Sequence, residues 1–504
     1  MEKQSLKLNV LAEIADADWE KTPESVKRLV VQLVERIAAL EERQQELEEK
    51  LQRNSQNSSQ PPSQDALQGF KPKPKEQGKK RRGGQPGHEG HQQKLYAPEE
   101  CAAIEEHYPR HCWACGEALS GIDVEPQRCQ IVEIPPLRPI VTEHRFHALA
   151  CSSCGVRTRA YDREVVDGSR YGDRLCALVG LLSGEYRQSH RMVVRLLSEI
   201  FEVDMAVGSV GRLRQVISET VAMPVAEVHK YVQQQAQVSI DETSFQQGNA
   251  DGKNPTGTRG WLWVVVTPLV CYFQVLLSRS QTAAQTILGS KFAGYVNSDR
   301  YSAYTWLMLE QRQVCWAHLK RDFTKIAQRR GLSRELGEAL LNHHEQLFEL
   351  WHRVRDGTLE RTQFIAQVAP IRQAVHQLLT QTADDTVADG EKTPWAKPVH
   401  TCRQLLTVEP ALWLFVTVEG LEPTNNAADQ AIRPAVLWRK CSYGSQSAQG
   451  SLFVGRIMTV VTSLRRQQRH VLDYLSEACR ARRQGLPAPS LLPISTSANS
   501  LLVP

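Results

Sequence analysis

No apolar run of eighteen or more residues occurs anywhere in the 504-residue chain, so the pattern holds no candidate membrane-spanning helix. The first fifteen residues, Met1 to Ala15, mix acids and bases throughout and lack the basic-then-apolar order of a secretory leader. Strong charge of one sign is missing too. Lys and Arg number 61 against 56 Asp and Glu, and the resulting +5 is too even to establish a nucleic-acid partner by bulk charge alone. These absences predict a soluble, cytosolic protein whose twelve cysteines are reduced. Eight of the twelve, including Cys176, Cys271 and Cys402, stand alone in apolar or mixed sequence and are expected as core thiols. What is present is 41% hydrophobic residues over a length that allows several domains.

Apolar residues at Val26, Leu33, Leu40 and Leu47, and again at Val30, Ile37 and Leu51, form two series at heptad spacing, with Gln44 interrupting the second. Residues 1–53 are therefore expected as a helical, coiled-coil segment that makes the protein a homodimer or higher oligomer, with the polar seam residue fixing register. The competing expectation is a helix packed on its own domain. Residues 54–95 begin with a Ser-, Asn-, Gln- and Pro-rich run and continue through Lys79, Lys80, Arg81 and Arg82 into Gly83–His88. Such a stretch has too little apolar surface to order itself, and its cations attract phosphates without reading bases.

Paired Cys-x-x-Cys knuckles follow, Cys112 with Cys115 and Cys151 with Cys154, each trailed by a glycine that permits the tight turn. Four thiolates suit a tetrahedral structural zinc, and strand-like runs at 130–134 and 141–150 predict a hairpin between the knuckles, so residues 96–165 read as a zinc ribbon. Such a closed site supports folding and DNA contact, not chemistry; free thiols or a redox pair are the alternatives. Residues 166–236 carry helical spacing and a Gly208-Ser209 break. They read as a helix-turn-helix-like DNA-binding region in which Ser209 caps the second helix and Arg212 and Arg214 face outward; a purely structural helical spacer fits as well. Short β-rich runs follow at 238–240, 260–267, 271–277, 294–296 and 313–315, and predict one sheet. Residues 331–400 read as a helical insertion and 481–504 as a disordered Pro- and Ser-rich tail.

Three acids stand at the ends of ordered segments: Asp241, Asp299 and Asp429. Clustered carboxylates of this kind can hold divalent cations for in-line displacement at phosphorus, although spacing alone does not bring them together. The blocks around them are distinctive. Ser239-Ile240-Asp241-Glu242-Thr243, Ser298-Asp299-Arg300-Tyr301-Ser302-Ala303-Tyr304, Cys315-Trp316-Ala317-His318-Leu319-Lys320-Arg321 and Pro423–Pro434 resemble blocks of the insertion sequence 66 transposases. So do Trp438-Arg439-Lys440, Tyr443-Gly444-Ser445, the polar run at 54–63, Gly83–His88 and the cysteine quartet, and the resemblance spans about residues 25 to 480.

The resemblance implies a multidomain α+β and α/β chain with an RNase H-like catalytic domain at 237–330 and 401–480. It implies a DDE-type transposase that cleaves and transfers DNA strands at insertion-sequence ends using two Mg2+ or Mn2+ ions held by Asp241, Asp299 and Asp429. Its partners would be end and target DNA and small accessory proteins of the same element, in a bacterial, nucleoid-associated setting. At the third acid the chain departs from the family's usual Asn-Asn-x-Ala-Glu-Arg and reads Asn425-Asn426-Ala427-Ala428-Asp429-Gln430. Aspartate is one methylene shorter, so its carboxylate reaches roughly 1.5 Å less far. His318, Lys320, Arg321, Arg433, Arg439 and Lys440 are expected phosphate contacts, with ordinary surface charge as the alternative. Glu242 is expected on the opposite strand face as a structural acid. Trp261, Trp263 and Trp438 are expected in the core rather than stacked on bases. Two rival readings remain, a catalytically impaired DNA-binding relative and a metal-dependent nuclease without transposition.

Overall fold

In the computed structural model, which describes residues 16–51, 53–54, 57, 95–162, 165, 170–388, 391, 393 and 395–493, the heptad stretch forms one helix, Glu24–Leu51. Val31 packs with Trp19 of the short helix Asp16–Lys21. The first seam, Val26, Leu33, Leu40 and Leu47, stays 43–62% exposed. Lys79, Lys80, Arg81, Arg82 and Gly83–His88 lie outside the described residues. The preceding polar run is not wholly free: Asn57 is buried, and its Nδ2 donates to Gln328 Oε1 at 2.7 Å.

Around the second knuckle, β1 (Ala148–Ala150) and β2 (Arg157–Arg159) pair antiparallel. The expected partner strand at 130–134 does not form. Pro135, Pro136 and Pro139 remove ladder donors there, nothing covers Ile131, Ile140 or Val141, and Gln130 instead holds the Tyr96 backbone.

The main sheet has five strands in the order β5-β4-β3-β6-β7: β3 (Gln237–Ser244), β4 (Trp261–Val266), β5 (Cys271–Leu276), β6 (Tyr295–Ser298) and β7 (Arg312–Val314). The first three pair antiparallel; β6 and β7 add on parallel to β3. β4 is apolar at almost every position because both its faces are covered, while β3 alternates buried and part-buried residues. The outer edge of β5 is closed by the helix Ala448–Arg466, where Thr459 and Ser463 hydroxyls accept from the Phe273 and Cys271 amides at 2.9 and 3.0 Å.

The helices Asp173–Ser183, His190–Phe201, Val207–Thr220 and Ala222–Val232 share a single core with this sheet: Ile217, Val228, Val264 and Ile457 belong to one cluster. The helical region expected at 166–236 is thus joined to the sheet in one core. Ser209 lies inside the helix that Ala206 begins, and Ser189 caps the helix before it, accepting from Met192 N. A second core unites Trp316, Leu347, Trp351, Phe364 and Phe415 and runs on to Leu421. The helices Leu332–Arg355, Arg361–Ala383 and Ala396–Thr407 of the expected insertion pack into this second core.

The first part of the expected disordered tail is packed. Leu491 is fully buried, and Tyr474 Oη and Gln467 Nε2 donate to the Pro489 and Leu491 carbonyls. Among the isolated cysteines, Cys176, Cys271, Cys315, Cys402 and Cys479 are core thiols, whereas Cys129 and Cys441 are exposed and Cys101 half-buried. No helix among the described residues is long and apolar enough to cross a membrane.

Candidate active site

Strand parity places the first two acids. In β3, Val238, Ile240 and Glu242 are buried on one face, which puts Ser239 and Asp241 on the other. The parallel register pairs Ser239 with Asn297; two residues further along each chain stand Asp241 and Asp299. Both acids therefore emerge on one face where neighbouring parallel strands, spaced about 4.8 Å apart, come to their ends. Burial pushes the Asp241 carboxyl well above the usual carboxylate range, and the negative charges of Glu242, Asp429 and Asp299 push it further. One Asp241 oxygen accepts from Glu242 N and one Asp299 oxygen from Tyr301 N, both at 2.8 Å.

The third acid arrives on the helix Asn426–Ser442, one turn past its N-cap Asn425. The helix begins just past Pro423 and its N-cap Asn425, and Glu422 is left exposed in the turn before it. Asn425 does not cap with its side chain. Its Nδ2 donates instead to Ile240 O at 2.8 Å, directly beside Asp241, and its amide to Cys315 Sγ at 3.1 Å. Asn297 Nδ2 donates to Glu422 O and Thr424 O at 2.7 and 2.9 Å, and Trp316 N to Pro423 O at 2.9 Å. At the far end of the helix, Arg439 donates to Thr243 Oγ1 and Ser244 O of β3. The arginine expected on DNA thus turns onto the sheet.

Glu242 is buried on the opposite face, as strand parity requires. Arg279 pairs with its Oε1 at 2.8 Å and Tyr304 Oη donates to its Oε2. Arg279 lies 3.7 Å over the Tyr301 ring and 4.7 Å over Trp261. Buried Arg312 donates to Ser298 Oγ and the Asp299 carbonyl, bracing the turn that carries the second acid. None of Asn297, Arg312, Arg279 or Tyr304 was singled out by sequence pattern. Asn297 had one usable signal, its position two residues before Asp299 on the same strand face.

His318 sits in the first turn of the helix Trp316–Ala327. Burial and Arg321 lower its pKa while Asp429 and Asp299 oppose them, so the imidazole lies within electrostatic reach of two of the acids. Lys320 and Arg433 are exposed, and Arg321 and Lys440 part-buried. Arg212 is exposed as expected, but Arg214 is not. It lies 4.3 Å over the Phe453 ring, bonds His190 at 2.7 Å, and has its pKa lowered to about 10 by burial. Between the helices His190–Phe201 and Val207–Thr220 opens a groove of about 620 Å3 lined by Arg191, Arg195, Ser198 and Glu199 among others; none of the three acids lines it. Trp263 and Trp438 are buried, as expected of core residues.

Backbone hydrogen bonds from Cys115 and Ala114, and after them the Cys115 thiol, lower the pKa of Cys112; those from Cys154 and Ser153, and after them the Cys154 thiol, lower that of Cys151. Among the described residues, no three His, Cys, Asp or Glu side chains are gathered closely enough to hold a metal ion as they stand. The donor chemistry of the acids fits a divalent cation all the same. They are hard oxygen ligands, their charges mutually disfavour ionisation at Asp241, and a cation between them would relieve that repulsion.

Residues 172–452, more than half of the chain and including all three acids, match the model of the transposase IS66 family. The chain belongs to that family. Residues 109–155, which hold both knuckles, match the zinc-finger binding domain of transposase IS66, so this IS66 member carries a zinc-finger domain ahead of its transposase domain. Residues 16–94 match a family of unknown function (DUF6444). The uncharacterized protein y4qI of Sinorhizobium fredii is 25% identical over 418 residues, covering 77% of this chain and 73% of its own length.

Proposed function

We propose that this IS66 transposase cleaves DNA strands at the ends of its insertion sequence and joins them to target DNA, with Asp241, Asp299 and Asp429 holding two Mg2+ or Mn2+ ions. The observation that carries the reading is the arrangement of the acids: two at the ends of adjacent parallel strands, the third on a helix tied to both strands. A sheet of three antiparallel strands extended by two parallel ones supports an RNase H-like assignment. Bound there, the ions would activate water or a DNA 3′-hydroxyl and stabilise the leaving oxygen.

Cations flanking the acids give the DNA its path. Arg433, Lys440, Lys320 and Arg321 are assigned to phosphates near the acids, His318 to a phosphate as a neutral hydrogen-bond donor, and Arg212 with the Lys79–Arg82 arm to DNA further out. Four thiolates, Cys112, Cys115, Cys151 and Cys154, are assigned to a structural zinc. Accessory proteins of the element would act with the assembled complex, and pull-down of the chain with and without them tests that assignment.

The exposed seam of the helix Glu24–Leu51 supports pairing with a second copy. Leu40→Asp should convert the dimer to monomer in sedimentation velocity; an unchanged mass would remove the coiled coil.

The third acid tests the catalytic assignment. Asp429→Glu restores the family's residue and should preserve or raise strand cleavage, whereas Asp429→Ala should lose it. Equal loss in both would mean a site built around aspartate; unchanged cleavage in the alanine variant would remove Asp429 from the site. The departures at Asp429 and Gln430 favour one second reading, a relative that grips DNA without cutting, which predicts no cleavage from either residue at 429.

A further inference from the structure

Four consecutive residues before the third acid's helix, Glu422 to Asn425, are each tied to an element that carries or braces the other acids. Asn297 Nδ2 holds the Glu422 and Thr424 carbonyls, Trp316 N holds the Pro423 carbonyl, and Asn425 reaches Ile240 O with its side chain and Cys315 Sγ with its amide. The ties are indexed to the acids. Asn297 precedes Asp299 by two residues, Ile240 precedes Asp241 by one, and Asn425 precedes Asp429 by one helical turn.

Both amides are deeply buried, at 2% and 0% exposure, and in both the Oδ1 atom has no hydrogen-bond partner. An unpaired buried acceptor is destabilising, and Asn425 also forgoes the capping bond its position offers. What these asparagines supply in return is donors to main-chain carbonyls of other segments. A carboxylate of the same shape would repel those carbonyls, and a shorter or apolar side chain would leave them unbonded.

We infer that Asn297 and Asn425 are positioning residues that set how closely the Asp429 helix approaches Asp241 and Asp299. The inference rests on the proposed metal-dependent reaction and deepens it. With an aspartate at 429, roughly 1.5 Å shorter in reach than the family's glutamate, helix placement has to supply what the side chain lacks. Outer partners that orient a metal ligand typically contribute a factor of about 10–100 in metal affinity, and the clamp falls in that class.

The test is Mn2+ binding to the full chain, measured by titration calorimetry and by the electron paramagnetic resonance of free ion. The proteins are wild type, Asp241→Asn, Asn297→Ala, Asn297→Asp and Asn425→Ala, with circular dichroism and affinity for DNA as controls. Each asparagine variant should weaken Mn2+ binding by about 10-fold or more while DNA affinity holds. Asp429→Glu placed in the Asn297→Ala background should recover part of the loss, which a merely structural role for Asn297 would not allow. Should Asn425→Ala fail to fold, the two Asn297 variants decide alone, since they act from a different strand. Wild-type affinity in the folded asparagine variants, with binding lost in Asp241→Asn, overturns the clamp only. Wild-type affinity in Asp241→Asn itself overturns the metal assignment and the clamp with it.

Discussion

Asp241→Asn is expected to reduce metal-dependent strand cleavage by at least about 10^3-fold, the order that follows from losing several kcal/mol of metal-borne charge stabilisation, while DNA binding and its salt dependence persist. Asp241 lies on the central strand, within the field of both other acids, so it is the carboxylate whose removal most disturbs a shared cation site. The proposed DNA contacts are cations on other elements, which the substitution leaves untouched. The same variant carries an internal control against misfolding. Because burial and neighbouring charge raise the Asp241 pKa in the native state, the native chain holds that proton more tightly than the unfolded chain does. This group's contribution to stability is therefore fully present at acid pH and declines as pH rises from the ordinary carboxylate range through the raised native value. Asparagine removes that decline, so without added divalent ion at neutral pH the variant should unfold at higher urea than wild type. An inactive variant that is less stable would point to damaged folding, and undiminished cleavage would remove Asp241 from the reaction.

The second large effect is expected at the knuckles. No described residue between 95 and 162 is buried, and the paired strands there are three residues each. Apolar burial therefore contributes little to holding this segment, and the proposed zinc would contribute most. Structural zinc in small fingers supplies an apparent free energy of about 10–16 kcal/mol near neutral pH. Chelation, or Cys112→Ser, should abolish the calorimetric transition of this segment and leave the transition of the two hydrophobic cores in place. A trace identical to wild type would show that the four thiols hold no structural ion.

Much of the five-stranded sheet was legible because its signals are local. The five β-rich runs match β3 to β7 within a few residues. Strand parity alone separated Asp241 from Glu242. The two misread arginines share a physical cause, which is that their partners lie far away in sequence. Arg214 turns inward because Phe453, 239 positions later, offers its ring. Arg439 turns inward because β3 presents Thr243 and Ser244. Leu491 is buried because Tyr474 and Gln467 hold the carbonyls around it, although its composition reads as tail. The asparagine ties from Asn297 and Asn425 were out of reach for the same reason, since each joins segments more than a hundred residues apart.

The central claim is that these acids cut DNA, and strand cleavage by the wild-type protein tests it most directly. Purified full-length chain, with any accessory proteins of the element supplied, is incubated with labelled DNA carrying the element's own ends, with and without Mg2+ or Mn2+. The account predicts metal-dependent cutting at the element boundary and, with target DNA present, joined products. Tight binding with no cutting under either metal would contradict it and leave a DNA-binding relative that has lost its chemistry.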